Sequence, residues 1–231
     1  MPQPPFIACC VTPSLPDDVN ALSERLQARI KESQAATAGR LITEASCDLV
    51  DAFFGNIIRD MLAQSPDDHD LKEAHAVIEE VKSKLRHYLG WITGFFSNER
   101  LAPVVAHYAS LLTHLPDADG VPRAHLVFSI SPALAADSQA SLAALHDPAT
   151  TDIRPGVEVL IRVIEEALVP LVHIPKQRMK FNFLVDKTLD GVIAVTNALV
   201  FRSFRKLGTQ LPPRLFPAVA DHLESFLHNA R

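Results

Sequence analysis

Glycine is scarce, with 8 in 231 residues. A turn-rich β-sandwich or barrel needs many positions with positive φ, so this shortage argues against one. Cysteine is equally rare. Cys9, Cys10 and Cys47 make an odd count of 3, two of them adjacent, and no disulfide framework can be read from them. The net charge is −5, and the one basic cluster, Arg202, Arg205 and Lys206, suits the end of a helix better than a phosphate backbone. The basic footprint of a nucleic-acid binder is missing.

No stretch is apolar enough to span a bilayer. The best candidate, Phe181 to Phe201, carries Asp186, Lys187 and Asp190. The opening Met1-Pro2-Gln3-Pro4-Pro5 has no positive charge ahead of its short apolar run, which argues against a secretory signal. A cytoplasmic location is the expectation. The sequence also lacks a Gly-rich phosphate loop, a nucleotide fingerprint, a His-Glu-x-x-His run and the Glu-x-x-His motif of di-iron bundles. Neither Ser46 nor Cys47 stands in a nucleophile motif. No cofactor is implied, and no motif names a reaction.

What is present is helical rhythm. Hydrophobic residues make up 48% of the chain and charged residues 21%, enough for a substantial core. Val19, Leu22, Leu26 and Ile30 fall at helical spacing after a start at Ser14. Similar patterns predict helices over Leu41 to Gln64, His69 to Phe96, Asn98 to about His114, Pro132 to Leu145, Ile153 to Pro170, Lys176 to Leu207 and Pro217 to His228. Pro170 should bend or stop its helix, and Gly208 should terminate the next. Residues 1–14 read as irregular or extended, and a loop is expected near 116–124. Phe6 to Val11 and His125 to Ile130 are the only strand candidates and could pair as a ribbon. The expected fold is therefore all-α: one domain over 1–231, a bundle of long antiparallel helices with shorter terminal ones and at most a minor two-stranded β element.

Two acidic stripes stand out on apolar helices. Glu44, Asp48 and Asp51 fall at i, i+4 and i+7, and Asp186 and Asp190 are four apart with Asn197 near the same side. Facing each other, they could hold Mg²⁺ for a phosphorylated or diphosphate substrate. The plainer alternative is that Glu44 and Asp48 face water while Asp186 and Asp190 pair with Lys187, Arg40, Arg59 or similar residues. Among ten histidines, His69 with Glu73 and His107 with His114 have spacings that share a face, and His222 with Glu224 overlaps less.

Aromatic residues suggest a second chemistry. Gly90 and Gly94 flank Trp91 beside Phe95 and Phe96, and Phe53, Phe54, Phe181 and Phe183 add further apolar surface. Together they could line a pocket for an apolar small molecule such as a lipid, a prenyl chain or haem. Close helix packing is the plainer account of the glycines. The reading placed first is a non-enzymatic bundle that works through a protein partner or a second copy of itself. The apolar-ligand bundle and the Mg²⁺-dependent enzyme stand as alternatives.

Overall fold

Phe6 to Cys10, bracketed by Pro5 and Pro13, cannot grow into a helix and forms strand β1 (Phe6–Cys10). The computed structural model describes residues 4–93, 96–116, 119–181 and 183–228. After β1 come α1 (Leu15–Gln27), α2 (Ala35–Val50), a π turn (Asp51–Gly55) and α3 (Asn56–Gln64). Then follow α4 (His69–Thr93), α5 (Asn98–Leu111), β2 (Leu112–Pro116), β3 (Pro122–Ser129) and α6 (Pro132–His146). The last part holds α7 (Arg154–Leu168), a second π turn (Val169–His173), α8 (Ile174–Met179), α9 (Phe183–Gln210), α10 (Phe216–Glu224) and β4 (Leu227–His228). The fold is predominantly helical, as expected. No helix among the described residues is long and apolar enough to cross a membrane.

The β element is larger than expected. β1 does pair antiparallel with β3, Phe6 opposite Ser129 and Cys10 opposite His125. Yet the sheet has four strands, in the order β2-β3-β1-β4, and not two. Leu112–Pro116 had read as the end of a helix and Leu227–His228 as the end of another. Pairing with a neighbouring strand overrides the helical period in both short segments. The loop expected near 116–124 shrinks accordingly, because β2 runs to Pro116 and β3 starts at Pro122.

One face of the sheet supplies the core. Ile7, Cys9, Leu126 and Phe128 are buried against residues of α1, α2 and α5, among them Leu15, Leu22, Leu41 and Leu101. α1 packs on α5, α2 on α4, α6 on α7 and α10, and α9 on both α4 and α7. The expected cap at Ser131 is present: its hydroxyl accepts from Leu134 N, and Pro132 occupies the first turn. Glu166 on α7 completes that end by accepting from the Ser131 amide and hydroxyl, both at 2.7 Å.

Three helix boundaries differ from expectation. α2 starts at Ala35, ahead of the expected Leu41, and carries Gly39 inside it. The helix predicted from Lys176 to Leu207 is two, because Lys180 takes the left-handed conformation (φ 49°) and ends α8. Gly208 does not terminate α9. It sits in the last turns, where a Cβ would come within 2.8 Å of Val157 Cγ2, so it lets α9 approach α7 closely.

Candidate functional site: an apolar cavity between helices

α2, α3, α4, α7, α9 and α10 do not close completely on one another. They leave a cavity of about 290 Å³, near the lower end of the range for small-molecule sites. Leu49 and Phe54, Ile78 and Val81, Leu160 and Ile164, Phe204, and Leu223 represent its walls. Among the described residues, no Asp, Glu, Lys or Arg lines it. Phe54 and Phe204 meet with ring centroids 4.0 Å apart, joining α9 to the first π turn.

Both π turns contribute to the lining, through Phe53 and Phe54 in the first and Leu171 and Val172 in the second. A π turn widens the helix by one residue and disturbs its carbonyl pairing. In the first, Asn56 N–H bonds Asp51 O in place of Ala52 O, and His222 Nε2 on α10 donates to Ala52 O at 3.0 Å. In the second, Pro175 has no N–H to offer. Leu171 O thereby loses its α-helical donor and Pro170 O its π-helical one. Tyr108 donates its hydroxyl to Leu171 O at 2.6 Å, and His107 Nε2 lies 2.7 Å from Pro170 O. Pro170 is accommodated by this wide turn and does not end the helical path.

Among the described residues, four polar side chains line the cavity: Ser46, Tyr108, Asn197 and His222. Three are engaged with backbone carbonyls, Ser46 by donating to Ile42 O at 2.8 Å and the other two as above. Burial keeps Tyr108 protonated and pushes the His222 pKa down, so His222 is neutral at pH 7. The Asn197 amide has no hydrogen-bond partner among the described residues. A side cavity of about 50 Å³ shares the wall made by Phe53, Leu160 and Leu223. Ser138 lines it, and its buried hydroxyl is also unpartnered.

The aromatic residues singled out from the sequence separate. Phe53 and Phe54 line the cavity. Phe96 is buried in the main core, edge-on to Phe181 at 5.2 Å. Phe183 is 78% exposed, with Lys187 Nζ 5.8 Å from its ring centre. Gly90 and Trp91 fall near the end of α4, and their side-chain surroundings, like Gly94 and Phe95 altogether, lie outside the described residues.

The acidic stripes have basic or backbone partners of their own. Glu44 pairs with Arg40 at 3.0 Å, and Asp48 accepts from Thr12 N at 2.7 Å, tying α2 to the end of β1. Asp51 meets Lys82 at 2.7 Å and Arg59 at 3.5 Å. Gly55 leaves room for this, since a Cβ there would overlap Asp51 Oδ1. Asp186 and Asp190 share Lys176, at 3.0 Å for Asp186. The hydrogen bond from Lys176 lowers the Asp190 pKa. Elsewhere His69, Asp70 and Glu73, and separately His146, Asp221 and Glu224, bring ligand atoms within 4.8 Å of one another. Glu73 is already bonded to Lys206 at 2.6 Å.

Sequence reading missed most of the cavity. Leu160, Ile164 and Val157 have the signature of ordinary core, and nothing in a linear pattern distinguishes a wall from a filled interior. Asn197, a polar residue in the apolar run of α9, was the available signal. It had been considered only beside Asp190. No family model matches the chain, nor does any curated protein or solved structure.

Proposed function

We propose that the protein binds an apolar small molecule carrying one uncharged polar group, with the helices forming an antiparallel bundle opened around it. The observation that carries this reading is the cavity of about 290 Å³ which, among the described residues, has no charged lining and has Asn197 as its one unengaged hydrogen-bonding side chain. An apolar ligand seated there would take this lining out of contact with water, which is the favourable term for binding.

The lining also selects among ligands. A carboxylate buried here would meet no Lys or Arg, and an unpaired buried charge is heavily penalised. Long-chain or prenyl alcohols and ketones fit better than fatty acids, with the oxygen set against the Asn197 amide. Ser138 gives a second polar foothold for a branch that passes Phe53.

The partner-binding reading draws less support. Large exposed apolar side chains among the described residues are Val121, Val169, Phe183 and Val195, spread over a loop, a π turn and α9. The Mg²⁺ reading requires carboxylates available to a metal, whereas Asp51, Asp186 and Asp190 already bond lysines.

Thermal denaturation with matched probes tests the proposal. A prenyl or C14 alcohol at about 100 times its Kd should raise Tm by about 5–10 °C. The carboxylate of equal chain length should raise it far less. No shift with any apolar probe overturns the reading.

A further inference from the structure

We infer that Cys10 is a thiol-exchange site whose base is His125. The two residues are direct cross-strand partners on β1 and β3, and Cys10 Sγ lies 3.2 Å from His125 Nε2. The other ring nitrogen, Nδ1, is 2.8 Å from Arg123 O. A carbonyl only accepts, so Nδ1 carries the proton and Nε2 presents its lone pair to the thiol. The imidazole is buried and held in place, while Cys10 is exposed. A nucleophile, a base within reach and a group orienting the base make up the arrangement needed to activate a thiol.

The other two cysteines serve as internal controls. Cys9 points to the opposite face of the sheet, is completely buried, and burial pushes its thiol pKa well up. Cys47 is buried on α2 and is shifted the same way. Of the three, only Cys10 combines access with an adjacent base.

The co-reactant is a small-molecule disulfide. As Cys10 Sγ attacks one of its sulfurs, the Cys10 proton passes to His125 Nε2. A new S–S bond forms, the old one breaks, and the departing thiolate takes the proton from Nε2. The protein gains a mixed disulfide and one free thiol is released. Among the described residues, charged or titratable groups near the pair include Arg123 on the same strand, which bonds Asp119 at 3.1 Å, and His228 on β4, whose pKa is lowered by burial and by His125.

Incubation of the full chain with glutathione disulfide at pH 7, followed by intact mass and peptide mapping, tests the assignment. One adduct on Cys10 is expected, formed at least about tenfold faster than exchange by a free cysteine peptide, and none on Cys10→Ser. In His125→Phe the rate at pH 7 should fall about tenfold or more, and the two proteins should converge near pH 10, where the thiol ionises unaided. Equal modification of Cys47, a Cys10 rate no faster than the peptide, or a His125→Phe deficit unchanged at high pH would each overturn the inference.

Discussion

Tyr108 donates its hydroxyl to the carbonyl of Leu171 at 2.6 Å, supplying the hydrogen bond that Pro175 removes from the helix four residues on. One tyrosine on α5 thereby compensates a proline that widens the wall of the cavity.

Removing that hydroxyl should be costly. Tyr108→Phe leaves a buried carbonyl unsatisfied and should destabilise the protein by about 1–3 kcal/mol in urea denaturation. Pro175→Ala returns an N–H to the turn, so the same change in that background should cost about 1 kcal/mol less. Simple additivity of the two substitutions would refute the coupling.

The cavity can be filled from within. Ala74→Leu and Val81→Phe enlarge lining residues of α4, and each should leave the empty protein as stable or more so. Both should abolish the alcohol-induced rise in Tm. A retained shift would mean that the ligand sits elsewhere.

Burial lowers the His222 pKa below the ordinary histidine value of 6.5. The unfolded chain therefore takes up a proton that the folded chain refuses between 6.5 and that lower value. Stability from neutral His222 is complete above this window and is lost as pH falls through it. His228 shifts in the same direction, again chiefly by burial. Tm should drop on acidification from about pH 7.5 to pH 5.5, and His222→Gln should flatten that drop. Ligand affinity should weaken over the same range, because a charged imidazolium would enter an uncharged lining.

Lys82 is only 8% exposed, bonded to Asp51 and Glu79. Burial pulls its pKa down, but the hydrogen bonds it donates to the Asp51 and Glu79 carboxylates, with their charges, outweigh that and leave it raised. Asp51→Asn should cost about 1 kcal/mol, because the ammonium loses one carboxylate and keeps Glu79 at 3.0 Å. Asp51→Asn with Lys82→Met should recover most of the loss. Millimolar Mg²⁺ should not change the Tm of the unmutated protein, and a clear rise would restore the metal reading.

Helical content was legible in the sequence because period 3.6 dominates it, and the caps at Ser131 and Pro132 were legible as local chemistry. The β1–β3 pair was also visible, as two short apolar runs flanked by prolines. β2 and β4 were not, since Leu112–Pro116 and Leu227–His228 become strands only through partners far along the chain. The acidic stripes looked like a site because sequence displays carboxylates but hides their partners. Lys82 is 31 residues from Asp51 and Lys176 is 14 from Asp190. Neither π turn announces itself, although Pro170 and Pro175, five apart, mark the second one in retrospect.

Each π turn carries a residue that an α-helix of the same reach would not need. Deleting one position within Val169–His173 would return that stretch to regular winding and swing α8, with Lys176, by about 100°. The grip of Lys176 on Asp186 and Asp190 would go with it, and so would the wide turn that places Leu171 and Val172 in the lining. The chamber thus answers to whole steps of backbone as well as to the side chains that line it.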